Sequence, residues 1–124
     1  MMVNEAVLGL GSNINPGENI SRAFSILQRE FEVVKEVQPI RTFPVGITDQ
    51  PDFFNAVVKL RTSLNKSDLK AFLKEVEDDM GRDRSRPKFG PREIDLDVII
   101  WNNEVVDKDF YERDFLKQLV EQLG

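Results

Sequence analysis

The sequence of 124 residues contains no cysteine and no histidine, and it has no long run of apolar residues. The first two absences exclude disulfides, thiolate nucleophiles, imidazole acids and bases, and zinc sites built from Cys and His. A bound metal would therefore be a hard ion held by oxygen ligands, such as magnesium. Apolar stretches such as residues 98–101 are too short to span a bilayer, and residues 1–5 lack a signal-peptide pattern. We therefore expect a cytoplasmic protein without a membrane partner.

Charge is unevenly distributed along the chain. The sequence has 17 Lys and Arg residues against 22 Asp and Glu residues, a formal net charge of -5. An acidic protein lacks the basic surface that non-specific nucleic-acid binding needs, so we expect no nucleic-acid partner. Residues 82–92 nevertheless hold four Arg and one Lys against one Asp, which gives this segment a net charge of +4. A compact cationic segment on an acidic protein indicates a small polyanionic ligand.

Apolar periodicity and turn chemistry predict one α+β domain over residues 1–124, a ferredoxin-like βαββαβ sandwich with an extra C-terminal helix. The first helix is expected to have Asn15 as its N-cap and Pro16 in its first position. We expect the helices to pack on one face of the sheet, which leaves the other face for loops and a ligand. The expected strands are 5–10, 33–42, 53–61 and 94–101, and the expected helices are about 16–31, about 66–80 and from about 111 onward.

Asp95-Leu96-Asp97 is the motif with the clearest chemical implication. In a strand both carboxylates point to one side while Leu96 points to the other. Two carboxylates that close repel each other unless a cation or arginines neutralise them. Magnesium prefers one or two carboxylates and completes its octahedron with water and substrate phosphates. The pair therefore predicts a magnesium site, and the alternative interpretation is the solvated start of a strand.

The loop at residues 81–92, directly before this motif, is rich in arginine. The planar guanidinium suits bidentate contacts with phosphate, and a cationic clamp stabilises charge as it spreads during phosphoryl transfer. The loop and the carboxylate pair together favour phosphoryl transfer from a nucleotide. A solvated run of charges is the alternative interpretation of the loop.

Two weaker signals lie outside this region. Phe53 and Asn55 share a strand face, an arrangement suited to stacking on a heterocycle and reading its edge, although a core position is the alternative for Phe53. The glycine-containing turn at residues 9–13 lacks a Walker lysine, so a structural role is favoured over phosphate binding.

Four segments occur in one order along the chain: Gly11-Ser12-Asn13, residues 41–46 (RTFPVG), residues 50–56 (QPDFFNA) and residues 89–97 (FGPREIDLD). Together they resemble 6-hydroxymethyl-7,8-dihydropterin pyrophosphokinase, a family of folate-pathway enzymes, over about residues 6–106. The resemblance implies transfer of a diphosphate group from ATP to the pterin hydroxymethyl group, with release of AMP and with two magnesium ions. We expect ATP and a reduced pterin as the small-molecule partners of a monomer or weak dimer.

The resemblance also implies roles for individual residues. Asp95 and Asp97 match the metal-binding aspartates, and with Arg82 and Arg92 they form the expected catalytic group. The expected nucleotide-binding residues are Glu77, Arg82, Arg84, Lys88, Phe89, Arg92 and Arg113. The expected substrate-binding residues are Thr42, Phe43, Val45, Phe53, Asn55 and Phe115.

The tail departs from the family pattern. Where family members carry a Pro-His segment, this chain has Asp107-Lys108-Asp109-Phe110, and it stops at Gly124, before the usual C-terminal region. Loss of a histidine that contacts phosphate would weaken transition-state stabilisation by about 2–4 kcal/mol if it acts as one electrostatic donor. Two alternatives to a compact enzyme follow. One is a relative that binds nucleotide or pterin without turnover, and the other is a diphosphokinase for another small alcohol.

Overall fold

The computed structural model describes residues 3–124, so Met1 and Met2 of the expected domain lie outside the described residues. The elements are β1 (Asn4–Ser12), α1 (Pro16–Glu30), β2 (Glu32–Thr42), β3 (Phe53–Thr62), α2 (Lys66–Asp79), β4 (Asp95–Trp101), β5 (Glu104–Val105), α3 (Asp109–Glu112) and α4 (Asp114–Glu121). The strands form one antiparallel sheet in the order β2-β3-β1-β4-β5. This arrangement confirms the α+β class and the expected βαββαβ order, and β5, α3 and α4 come after that unit in the chain.

Helix α1 begins where the sequence predicts it. Pro16 occupies the first helical position, where its missing N–H removes no helical hydrogen bond. Asn15 is the N-cap residue, but its backbone is left-handed with φ 42°, and its side chain makes no capping hydrogen bond. Asn19 instead donates through Nδ2 to the carbonyl oxygen of Ile14 at 2.6 Å. This bond ties the first helical turn to the loop that follows β1.

The first core layer lies between the sheet and helices α1 and α2. Side chains alternate between the two faces of a strand, so every second residue of the central strands faces this layer. Helix α2 ends before Gly81, whose φ of 89° is the left-handed conformation that glycine adopts without strain after a helix C-cap. The chain thereby turns from α2 into the arginine-rich loop. Buried members of this layer include Leu8, Leu10, Ile20, Leu27, Leu73 and Leu96.

A second core layer corrects two expectations about the tail. Helix α4 packs on the opposite face of the sheet, so that face is not left to loops and ligand alone. The expected single helix from residue 111 is two helices, since Arg113 between α3 and α4 has an extended backbone with φ -119°. Within residues 3–124 no helix is long and apolar enough to cross a membrane. The second layer contains Val7, Val37, Val57, Ile99, Leu116, Leu119 and Leu123.

Candidate active site

A cavity of about 420 Å³, the first cavity, opens on the sheet face that carries α4. Its floor is formed where β1 and β4 pair, with Gly9 opposite Asp97 and Gly11 opposite Asp95. Because glycine has no side chain, the floor beside the two carboxylates stays open. All six residues expected to bind substrate line this cavity: Thr42, Phe43, Val45, Phe53, Asn55 and Phe115.

Asn55 is held in one orientation at the base of the first cavity. Its Nδ2 donates to Oγ1 of Thr42 at 2.7 Å. A Cβ atom added to Gly11 would lie only 2.7 Å from Oδ1 of Asn55, so the glycine leaves room for this amide. Phe53 is half-buried beside it, whereas Phe43 is 84% exposed at the rim. A fixed amide next to a flat ring suits a planar heterocycle with hydrogen-bonding edges.

A second cavity of about 580 Å³ lies along α2 and the edge of β4. Lys70 and Lys74 line it, and their spacing of four places both on one face of α2. Neither lysine is among the site residues predicted from the sequence. Their spacing of four was the signal that could have indicated a cationic face on α2. Of the expected nucleotide-binding residues, Glu77, Arg82 and Arg84 line the second cavity, while Lys88, Phe89, Arg92 and Arg113 line the first.

The two cavities meet at a junction, which we define as the residues that line both: Asp95, Asp97, Asp107 and Lys108. The chain returns here after β5, since the N–H of Val106 donates to the carbonyl oxygen of Ile99 at 2.9 Å. Oδ1 of Asp107 accepts from the N–H of Asp109 at 2.9 Å. The segment that lacks the Pro-His pair therefore contributes two side chains to the site.

Glu77 organises the arginine loop from a buried position on α2. Its carboxylate accepts from the N–H of Leu96 at 2.7 Å and from Nη2 of Arg84 at 2.9 Å, and it lies 3.0 Å from Nη1 of Arg82. Burial raises the pKa of Glu77, while the hydrogen bonds from Leu96 and Arg84 oppose that rise. These contacts support a role in positioning the two arginines. Direct contact between Glu77 and a nucleotide stays a prediction.

The two aspartates of β4 have different surroundings. Oδ1 of Asp95 accepts from Nη1 of Arg82 at 2.9 Å, and Oδ2 accepts from Nη1 of Arg92 at 2.6 Å. The Asp97 carboxylate makes no hydrogen bond or ion pair within residues 3–124. Asp97 is exposed to solvent and lines both cavities. Partial desolvation by the neighbouring protein, followed by the charge of Asp95, raises the pKa of Asp97 to about 8.

This pair of carboxylates fits a hard divalent cation. The donors are oxygens, and Asp97 is unpaired among the described side chains while it lies in the negative field of Asp95 and Asp107. A cation would relieve this repulsion. In the described part of the chain, no three or more acidic residues are grouped so that they could hold a metal by themselves. Water or phosphate oxygens would therefore have to complete the coordination of a magnesium ion.

Asn13 and Gln50 join the two loops that flank the first cavity. Asn13 donates through Nδ2 to Oε1 of Gln50 at 2.9 Å, and its Oδ1 accepts from the N–H of Arg92 at 2.8 Å. Gln50 in turn donates through Nε2 to the carbonyl oxygen of Phe89 at 2.7 Å. These bonds agree with a structural role for the glycine-containing turn. They also give Gln50, which was not a predicted site residue, a role in positioning the arginine loop.

Sequence comparison relates the chain to known proteins. The sequence model of the family described as 7,8-dihydro-6-hydroxymethylpterin-pyrophosphokinase (HPPK) matches residues 7–123, so the match includes the tail. A 2-amino-4-hydroxy-6-hydroxymethyldihydropteridine pyrophosphokinase of Bacillus subtilis (strain 168) is 38% identical over 87% of this chain and 66% of its own length. The protein of that name from Aquifex aeolicus (strain VF5) is 38% identical over 80% of this chain and 62% of its own length.

A plant protein extends the comparison to longer chains. The folate synthesis bifunctional protein of Arabidopsis thaliana is 33% identical over 97% of this chain and 27% of its own length. The chain thus spans about two thirds of the two bacterial relatives and about a quarter of the plant protein. Because the family match covers nearly the whole sequence, and the motifs that carry it line one site, the chain belongs to the 7,8-dihydro-6-hydroxymethylpterin-pyrophosphokinase family.

Proposed function

We propose that the protein transfers a diphosphate group from ATP to 6-hydroxymethyl-7,8-dihydropterin and releases AMP, as a step of folate biosynthesis. The names of its relatives support this activity. The observation that carries the proposal is the junction, where two cavities with different linings share Asp95 and Asp97. A transferase for two substrates needs binding sites that meet where the transferred group crosses.

The first cavity is the proposed acceptor site. The Asn55 amide, fixed by Thr42, offers a donor and an acceptor to the edge of a heterocycle. Phe53 and Phe115 supply flat apolar surface for stacking. Together these groups favour a planar ring system with several polar atoms, which describes a pterin.

The second cavity is the proposed nucleotide site. Five cationic side chains line it, two from α2, two from the arginine loop and Lys108 at the junction, and these suit a polyanion. Glu77 holds the loop pair in place through its buried carboxylate, so little ordering remains when the triphosphate binds. The five cations are Lys70, Lys74, Arg82, Arg84 and Lys108.

The chemistry requires alignment rather than a protein nucleophile. The hydroxymethyl oxygen attacks the β-phosphorus, the bond from that phosphorus to the α,β-bridging oxygen breaks, and AMP leaves with this oxygen. The hydroxyl proton passes to water. Two magnesium ions held by Asp95 and Asp97 would neutralise charge on the phosphates. Arg82 and Arg92 converge on Asp95, which supports the proposal that they stabilise the charge that spreads over the transferred group.

An AMP-release assay tests the proposal. Purified protein is incubated with ATP, magnesium and 6-hydroxymethyl-7,8-dihydropterin, and AMP is measured by chromatography. We expect magnesium-dependent turnover that Asp97→Ala abolishes. Asp79→Ala is the matched control, because this exposed aspartate on α2 lines neither cavity. If the wild-type protein binds both substrates but releases no AMP over hours, the proposal is refuted.

Binding without turnover is a second candidate function. Its support is the pairing of Asp95, whose two oxygens are both engaged by arginines. A ligand site held in this way would need those bonds to rearrange before the carboxylate could bind a metal. If this candidate is correct, Asp97→Ala changes ligand affinity, measured by calorimetry. Neither the wild-type protein nor the variant then releases AMP.

Transfer of diphosphate to another small alcohol is a third candidate. It is favoured by the tail residues Asp109, Glu112 and Arg113, which line the first cavity and add polar groups to its wall. A panel of alcohol acceptors with labelled ATP separates this candidate from the pterin enzyme. Faster transfer to a non-pterin alcohol would support it, and transfer to the pterin alone would exclude it.

A further inference from the structure

Lys108 is the one cationic side chain at the junction within residues 3–124. The other three residues that line both cavities are Asp95, Asp97 and Asp107. A diphosphate group that crosses the junction brings several negative charges past these carboxylates. Like charges at such short range repel strongly unless cations lie between or beside them. The position of Lys108 therefore has a direct bearing on transfer.

In the described part of the chain, Lys108 differs from Arg82 and Arg92 in having no ion-pair partner. Arg82 and Arg92 are both hydrogen-bonded to Asp95. Over the described residues Lys108 takes part in no ion pair, and it is exposed to solvent. Its charge is thus available to a ligand without the loss of an existing contact.

The backbone at Lys108 is fixed although the side chain is exposed. Its carbonyl oxygen accepts from the N–H of Tyr111 at 3.0 Å, as the N-cap residue of α3. The neighbouring Asp107 side chain bonds the N–H of Asp109. The base of the lysine is therefore anchored at the junction. Its four-carbon stem lets the ammonium group follow a ligand that changes position.

We propose that Lys108 contacts the diphosphate group as it passes from the second cavity to the first, and so supplies the cation on the tail side of the junction. The inference rests on the proposed function. Lys108 lies in a segment in which the sequence departs from the family pattern. The contact is therefore inferred from this chain's own residues and is not carried over from the family. No bond is made or broken by the lysine, which acts through its charge alone.

Substitution of Lys108 tests the proposal. Lys108→Met keeps the length of the side chain and removes the charge, while Lys108→Arg restores a cation. We expect Lys108→Met to lower kcat/KM for AMP release about 100-fold, at the lower end of the range for loss of one electrostatic donor. Lys108→Arg should recover most of that loss. Lys35→Met is the matched control, because Lys35 is exposed on β2 and lines neither cavity.

Inorganic diphosphate provides a second measurement that does not need turnover. We expect its dissociation constant, measured by calorimetry with magnesium present, to rise at least fivefold in Lys108→Met and to stay unchanged in Lys35→Met. Equal urea midpoints for wild type and Lys108→Met would exclude a folding defect, and Lys108→Gln replaces the methionine variant if the midpoints differ.

The outcomes separate this inference from the proposed function. If the wild-type protein releases AMP and Lys108→Met stays within twofold of it in both kcat/KM and diphosphate affinity, the role of Lys108 is overturned and the proposed function stands. If the wild-type protein releases no AMP with its substrates bound, the proposed function is overturned. In that case equal diphosphate affinity in wild type and Lys108→Met overturns the role of Lys108 as well.

Discussion

Replacement of Gly11 by alanine examines how the floor of the first cavity holds Asn55. The new Cβ would lie 2.7 Å from Oδ1 of Asn55, a separation that real Cβ contacts do not show. The Asn55 side chain would have to turn away, because Gly11 lies in a central strand paired on both sides. The hydrogen bond from Nδ2 of Asn55 to Oγ1 of Thr42, 2.7 Å long, would then be lost.

Two terms set the size of the effect. Loss of the bond between Asn55 and Thr42 costs about 1 kcal/mol, and an extra methyl group in a well-packed site costs about 1–3 kcal/mol. The free energy of unfolding should therefore fall by about 2–4 kcal/mol. For a chain of 124 residues this lowers Tm by roughly 4 °C for each kcal/mol. Affinity for the pterin should fall about tenfold or more, while ATP binding in the second cavity should not change.

Urea unfolding and calorimetric titration with the pterin measure these effects. Gly17→Ala is the control, because a Cβ on Gly17 meets no atom within 4 Å and alanine is the better helix former in α1. The double variant Gly11→Ala/Asn55→Ala removes the clash, so it should regain the overpacking part of the loss, about 1–3 kcal/mol, without regaining pterin affinity. Unchanged stability and pterin affinity in Gly11→Ala would refute the reasoning.

Further predictions concern the carboxylates behind and at the junction. Glu77→Ala should lower the free energy of unfolding in urea by about 3–5 kcal/mol, because it strips a buried partner from the arginines and from the N–H of Leu96. Asp78→Ala, which removes an exposed partner of Arg84, should cost less than about 1 kcal/mol; equal losses would contradict this reading. In EDTA the stability should fall as pH rises from about 4 to 8, since the raised pKa of Asp97 makes the folded state bind more protons than the unfolded state. Asp97→Asn should flatten this dependence, and identical pH profiles would count against it.

Local pattern was sufficient where the structure depends on neighbours in sequence. Period-two alternation predicts that Asp95 and Asp97 share a face and Leu96 points away, and Leu96 is buried in the first core layer while both aspartates line the cavities. Pro16 and Gly81 mark the boundaries of helices at the expected positions. These features depend on backbone geometry over a few residues, which the sequence specifies directly.

Interactions of the arginine loop depend on how distant elements approach each other. Charge composition predicts a loop that grips phosphate, but it does not show which arginines are already engaged. Arg82 is held between Glu77 and Asp95, and this arrangement requires α2 to pack against the start of β4. The contact between Glu77 and the backbone of Leu96 spans 19 positions in sequence. No local period encodes it.

The tail shows most clearly what the tertiary structure decided. The apolar stripe of α4 predicts a helix that packs on something, but a stripe does not identify the face of the sheet it covers. The nearly continuous apolar run of residues 5–10 was the signal that both faces of the sheet are covered. Strands that are buried on both faces have such runs instead of alternating apolar and polar residues. Magnesium-site chemistry at Asp95 and Asp97 is an inference from the sequence that stays a prediction. The presence of Asp107 and Lys108 beside that pair follows only from the path of the chain after β5, which brings residues ten or more positions away into the same junction.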